Sequence, residues 1–222
     1  MKNIAVIAAA GLGKRFGSKI PKQFLNLNGK PVFLWSVNVF ASIKSFKKII
    51  VVVPPSMLES LSSKYKARFV FTAGGNERSD SIRNALALIE DDVNYIAVHD
   101  AARPLILKDD VLLVLKEAVK TKAAIAVEKV KDTVKFISND GYILKTFDRR
   151  VFRNAQTPQI FEANLLKEAY LGGGVSLSIT DDSQLLEDLK VKVSVVETKF
   201  PNFKITTRQD FEIATAIITN RI

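Results

Sequence analysis

Short apolar runs rich in β-branched residues recur along this chain, and most stretches between them carry helical spacing. The runs at 4–7, 48–53, 95–98 and 123–127 are too short for helices of their own and, Lys48 apart, apolar throughout, as expected of strands buried on both faces. Between them, 31–41 sets Phe33, Leu34, Val37 and Phe40 on one helical face, and 109–120 does the same with Val111, Leu112, Leu115 and Val119. Further helices are expected at 57–63, 77–89, 162–171, 180–189 and after Thr207, and further strands at 68–71 and 192–196. Strands that keep alternating with helices predict an α/β fold: a Rossmann-like, mainly parallel sheet flanked by helices.

One region breaks the rhythm. From Thr133, and again from Tyr142, polar and apolar residues alternate, and Asn139-Asp140-Gly141 separates the two runs. Asp-Gly between such runs is a strong hairpin signal, so a β-arm is expected to project from the sheet at about 131–152. A two-stranded ribbon is marginal alone. Burying it against a second copy of the chain is the simplest remedy, which predicts a homodimer. No repeat, low-complexity tract or linker divides the sequence, so one domain, 1–222, with an inserted arm is the economical count.

Cysteine is absent, which excludes a disulfide framework or a Cys-based zinc site and suits a reducing cytosol. Lys2, a short apolar run and Ala8-Ala9-Ala10 imitate a signal peptide, but basic residues follow at once. No apolar run approaches the ~20 residues that span a bilayer. The expectation is a soluble, cytoplasmic protein without a membrane partner. Lys and Arg outnumber Asp and Glu by 33 to 23, a net charge of +10. The cations are spread along the chain, with no basic tail and no aromatic-interleaved RNA motif, so no nucleic-acid partner is expected; a solvated lysine surface and a pocket for small anions account for the excess.

The stretch that follows the first strand carries the chemistry. Ala8-Ala9-Ala10 leads into Gly11-Leu12-Gly13, where the lack of side-chain bulk lets backbone N–H groups approach a ligand. Lys14, Arg15, Lys19 and Lys22 follow, with no acidic residue among them. A strand end, a glycine loop and a set of cations make a site for a polyphosphate. It is not a P-loop: Ala8 stands where the first glycine belongs and Arg15 where the Mg²⁺-binding hydroxyl belongs. The dinucleotide fingerprint also fails, because Gly11, Gly13 and Gly17 miss its spacing by one residue. The G-x-G-K-R pattern followed by Pro21-Lys22 resembles instead the loop of nucleotidyltransferases that join a nucleoside triphosphate to a phosphorylated sugar or alcohol.

Seven segments extend that likeness over nearly the whole chain: AAAGLGKRFGSKIPKQF, GGNERSDSI, HDAARP, KDTVK, FDRRVFRNAQTPQIF, TDDS and FKIT. In this order they resemble the motif series of the 2-C-methyl-D-erythritol 4-phosphate cytidylyltransferases. The ribitol-5-phosphate cytidylyltransferases share the first motif and the QTPQ segment and stand as the alternative; HDAARP and KDTVK favour the methylerythritol enzymes. The resemblance implies transfer of the cytidylyl group of CTP to the alcohol phosphate with release of pyrophosphate, Mg²⁺ assisting, in non-mevalonate isoprenoid biosynthesis.

It also implies roles for residues. Arg15 and Lys22 match the cations that stabilise the transition state. Ala9, Ala10, Gly11 and Gly13 match the nucleotide loop, and Gly74, Gly75 and Ser81 the positions that read the base. Asn76 stands where the family carries aspartate, and it still hydrogen-bonds. Asp100 falls near the metal or the substrate hydroxyls, with Ala101, Ala102 and Arg103 lining the alcohol pocket. Thr133 and Thr180 match further alcohol-pocket positions. Arg149, in the Asp148-Arg149 pair at the return of the arm, matches an arginine that grips the substrate phosphate in the neighbouring subunit's site. Lys204 matches the lysine that positions the incoming phosphate. The sole histidine, His99, invites a catalytic role, but the attacking phosphate is already ionised and needs no general base, so His99 is read as structural.

Overall fold

Alternate residues of β1 (Asn3–Ala8) divide the molecule: Ile4 and Val6 face one layer of helices, Ala5 and Ile7 the other, and all four are buried. The computed structural model describes every residue except 12, 14, 15, 19, 66–68, 173–178, 180 and 222. After β1 come a small hairpin, β2 (Asn26–Leu27) and β3 (Lys30–Pro31), then α1 (Val32–Ala41), β4 (Phe46–Val53), α2 (Leu58–Lys64) and β5 (Val70–Ala73). α3 (Arg78–Leu86), β6 (Tyr95–Asp100), α4 (Lys108–Thr121) and β7 (Ala123–Lys129) continue the alternation. β8 (Val134–Ile137) and β9 (Ile143–Phe147) form a separate two-stranded sheet. The chain then runs through β10 (Arg153–Glu162), α5 (Ala163–Leu171), α6 (Ser183–Asp188), β11 (Ser194–Glu197) and α7 (Arg208–Thr219).

Among the described residues the main sheet has seven strands in the order β11-β7-β10-β6-β1-β4-β5. Every pairing is parallel except those of β10, which runs antiparallel to β6 and β7. The mainly parallel α/β sheet expected from the sequence is thus what the chain forms. β10 is the strand the pattern does not predict. Thr157-Pro158 interrupts its apolar run, and the ladder to β7 shifts register between Ala155 and Gln159. Such a shift accommodates a proline that has no N–H to donate.

Phe33, Leu61 and Val111 of α1, α2 and α4 pack on the Ala5/Ile7 face, while Ile82, Leu166 and Leu185 of α3, α5 and α6 cover the Ile4/Val6 face. α1 shows which force decides. Its VFLWSVNVFA sequence is rich in β-branched and aromatic residues, which cost a few tenths of a kcal/mol each in a helix. Val32, Phe33, Val37 and Phe40 are fully buried, and each such burial is worth about 1.5–3 kcal/mol. Packing therefore overrides propensity.

Two features place the site. First, Ala8 pairs with Asp100 across β1 and β6, and Val53 with Ala73 across β4 and β5, so these carboxyl ends share one edge. The chain order runs outward from β1 through β4 and β5 on one side, with β6 on the other, and ligands of open α/β sheets gather at such a reversal. Second, a third apolar cluster under α7, with Phe16, Leu105 and Ile205, brings the end of the chain back to the first loop. The arm of β8 and β9 leaves Phe136, Ile137, Ile143 and Leu144 each more than half exposed.

Candidate active site

The loop after β1 is held by a side chain from its own far end. Gln23, buried in the short 3-10 turn Lys22–Phe24, donates from Nε2 to the carbonyls of Ala9 and Gly11, both at 2.6 Å. Gly13 takes a φ of +64°, the left-handed region that glycine enters without cost, and the methylenes of Lys22 pass beside it. Ala9 N donates to Val52 O at 2.8 Å, and Ala101 N to Ala8 O at 3.1 Å, so the loop grows from the middle of the sheet.

The opposite wall is the entry to α3. Gly74 N donates to Val53 O at 2.8 Å, and a Cβ on Gly74 would lie only 2.3 Å from Ala10 Cβ and 2.9 Å from Ser81 Oγ. Only glycine lets these two walls approach. Ser81 Oγ accepts from Gly75 N and donates to Glu77 O, each at 3.1 Å, while Glu77 N donates to Asp80 Oδ2 in a capping box.

Between the walls lies a cavity of about 620 Å³. Ala10, Gly11, Gly13 and Lys22 line it from the first loop, Gly74, Gly75, Asn76 and Ser81 from the α3 entry, and Asp100 and Lys204 from its floor. Lys204 reaches the floor because Ile205, fully buried, donates its N–H to Ala102 O at 2.8 Å. Asp210 then clamps the following turn, accepting from Thr206 N, Thr206 Oγ1 and Thr207 N.

Asp100 is the electrostatic centre. Lys204 Nζ is 2.9 Å from its Oδ2, Arg103 Nε 3.7 Å from the same oxygen, and Arg78 Nε 3.8 Å from Oδ1. Burial opposes its charge, but Lys204, Arg78 and Arg103 outweigh burial and hold the carboxyl well below the usual carboxylate range. Among the described residues the cavity is lined by the carboxylates Asp100 and Glu77 and by the cations Lys22, Arg78 and Lys204, an excess of positive charge suited to anionic ligands.

The other residues singled out by sequence fall differently. Ala9 and Ala101 are buried in the core behind the cavity, whose wall at that point is Ala102. Arg103 lies beneath the floor, donating from Nη1 to Asn202 O at 2.8 Å. Thr133, at the root of the arm, is exposed and away from the cavity, as is Arg149, whose Nη1 donates to the Lys131 carbonyl. Arg15 and Thr180 lie outside the described residues. His99 is fully buried, with Thr157 Oγ1 3.0 Å from Nδ1 and Arg103 O 3.2 Å from Nε2. Burial lowers its pKa to about 4, so it is a neutral structural group. Sequence reasoning missed Gln23 as the loop's brace, although its place directly after Pro21-Lys22 is a local signal. It also missed that Arg78, beside Asp100, is bound by Asp182, a pairing that no local signal reveals.

Known proteins resemble this chain over nearly its whole length. The family model described as 2-C-methyl-D-erythritol 4-phosphate cytidylyltransferase matches residues 3–220. The enzyme of that name from Endomicrobium trichonymphae is 69% identical over 98% of this chain and 99% of its own length. That from Caldanaerobacter subterraneus subsp. tengcongensis is 38% identical over 95% of this chain and 96% of its own. Among solved structures, the 4-diphosphocytidyl-2C-methyl-D-erythritol synthase of Anaerococcus prevotii superposes with a TM-score of 0.84 at 29% identity, over 98% of this chain and 96% of that one. The Francisella tularensis 2-C-methyl-D-erythritol 4-phosphate cytidylyltransferase superposes with a TM-score of 0.83 at 29% identity, over 97% and 99%.

Proposed function

This chain belongs to the 2-C-methyl-D-erythritol 4-phosphate cytidylyltransferase family, and from that premise we propose that the cavity between Ala8 and Asp100 is where the cytidylyl group changes hands. The reaction joins CTP to 2-C-methyl-D-erythritol 4-phosphate. A phosphate oxygen of the alcohol substrate attacks the α-phosphorus of CTP, the bond to the β-phosphate oxygen breaks, and 4-diphosphocytidyl-2-C-methyl-D-erythritol and pyrophosphate leave. Phosphoryl chemistry of this kind asks the protein for in-line placement and for cations where charge accumulates, not for a covalent partner.

The observation that carries the assignment is the meeting of Lys22 and Lys204 on one cavity that also holds Gly74, Gly75 and Ser81. In this reading the first loop and the α3 entry take the nucleotide, with backbone groups and Ser81 facing the base. Lys22, together with Arg15, stabilises charge at the α-phosphate. Lys204 receives the phosphate of the alcohol substrate, Asp100 faces the metal or the substrate hydroxyls, and Arg103 braces Asp100 from below. Asp100 is the one carboxylate on the floor, and among the described residues no three acidic or histidine side chains cluster to hold a metal. This donor set fits Mg²⁺, which takes one or two carboxylates and completes its shell with substrate phosphates and water. When bound, the ion supplies charge neutralisation on the CTP phosphates.

The exposed apolar arm, and the position of Arg149 away from its own chain's cavity, support a homodimer in which the arm crosses to the neighbouring site. No helix among the described residues is long and apolar enough to cross a membrane, and with the absence of cysteine this supports a cytoplasmic enzyme. The test is a coupled pyrophosphate assay with CTP and each alcohol phosphate. Release with methylerythritol phosphate is expected; release only with ribitol 5-phosphate would overturn the substrate assignment.

A further inference from the structure

Arg78 opens α3, and its guanidinium leaves that helix to reach a carboxylate 104 positions away. Nη1 and Nη2 donate to the two oxygens of Asp182, at 2.9 and 2.6 Å, in a two-point grip. Asp182 is itself immobilised. It is fully buried and accepts the Tyr170 hydroxyl from α5, and its backbone N–H, with that of Ser183, donates to Gln159 Oε1 of β10 at 3.0 and 3.1 Å. With both terminal nitrogens taken, the remaining edge of Arg78 presents Nε 3.8 Å from Asp100 Oδ1. The other oxygen, Oδ2, faces Lys204 at 2.9 Å and Arg103 at 3.7 Å. An alternating series, Asp182, Arg78, Asp100, Lys204, therefore runs from the buried start of α6 to the cavity floor.

Resting on the proposed function, we infer that Arg78 is a positioning residue for the alcohol phosphate: Asp182 aims it, it orients Asp100, and Asp100 in turn places Lys204. Arg78 lines the cavity, but its terminal nitrogens are turned to Asp182, so its effect on the substrate runs through Asp100. The arrangement needs a planar guanidinium. A lysine keeps the charge but cannot hold two oxygens of one carboxylate while facing a second.

The test uses full-length Arg78→Lys and Asp182→Asn, each assayed for pyrophosphate release with the other substrate saturating, alongside thermal melts. Wild-type protein is assayed first, and failure to turn over CTP with methylerythritol phosphate would sink the proposed function itself. Given an active wild type, both variants are expected to raise KM for the alcohol phosphate about tenfold, the scale of one lost charge-assisted hydrogen bond. KM for CTP is expected to stay within about twofold. Full rescue by lysine, an equal rise in both KM values, or no change in either would overturn the role given to Arg78 and leave the proposed function standing.

Discussion

The ammonium of Lys204 lies 2.9 Å from Oδ2 of Asp100, so the cation proposed to receive the incoming phosphate already has a carboxylate partner. That pairing resolves a difficulty of highly charged sites. Arg78, Arg103 and Lys204 converge on this one carboxylate, and Asp100, together with Asp182 on Arg78, offsets their mutual repulsion.

Removing the ammonium should therefore have two separable effects. Lys204→Ala is expected to lower kcat by about 10²–10³-fold, the scale for loss of one preorganised electrostatic donor. It should also raise the pKa of Asp100, whose depression is owed first to Lys204 among its neighbours. A group with a depressed folded pKa stabilises the fold above its unfolded pKa and loses that contribution as pH falls. Acid unfolding should consequently begin at a higher pH in Lys204→Ala than in the wild type. Pyrophosphate kinetics check the first effect and far-UV melts across an acid series the second; an unchanged acid limb would remove Lys204 as the partner of Asp100.

His99 supplies a pH signature of its own, because it is the only histidine in the chain. Burial lowers its pKa to about 4, the charge of Asp100 opposing that shift without overcoming it. The unfolded chain binds this proton near pH 6.5 and the folded chain does not. Stability is then full above about pH 6.5 and declines toward pH 4, by on the order of 3 kcal/mol. Urea unfolding midpoints should fall over that window in the wild type and much less in His99→Gln. Equal slopes in the two proteins would mean that His99 titrates normally in the fold.

Gly74 tests the nucleotide wall. Adding one methyl group there meets Ala10 Cβ at 2.3 Å and Ser81 Oγ at 2.9 Å, contacts that neither wall can accept without moving apart. Overpacking of this kind costs about 1–3 kcal/mol, and it falls between the two segments proposed to hold CTP. Gly74→Ala should raise KM for CTP about tenfold or more while changing KM for the alcohol phosphate much less. Measuring both constants decides it, and a selective effect on the alcohol phosphate would reverse the assignment of the two halves.

The sequence made the strands of the parallel core legible because each contains a short apolar run with β-branched residues, and it made the β8–β9 turn legible because Asp140-Gly141 is a local code. β10 was not legible, since Pro158 breaks the run that would have announced it and its place between β6 and β7 is fixed only by the sheet. The floor of the site divides similarly. Asp100, at the end of a plain strand, was readable as a ligand-facing position, whereas the Arg78–Asp182 grip depends on two segments meeting through α5 and β10. Gln23 lies between: its neighbours marked the loop, but nothing local said that its amide would hold two carbonyls of that loop.

Arg149 gives the sharpest test of how chains cooperate. It is exposed, hydrogen-bonded to the Lys131 carbonyl, and absent from the lining of its own chain's cavity, while Lys22 lines that cavity. If the arm serves a neighbouring site, each complete site takes Lys22 from one chain and Arg149 from the other. Arg149→Ala and Lys22→Ala proteins, each nearly inactive alone, should then regain activity when co-refolded, because a mixed dimer contains one site with both groups. Random pairing makes half of the dimers mixed with one sound site in each, so recovery should approach about a quarter of the wild-type rate. Were both residues to act within one chain, no mixture could assemble a complete site, and the rate would stay at the average of the two variants.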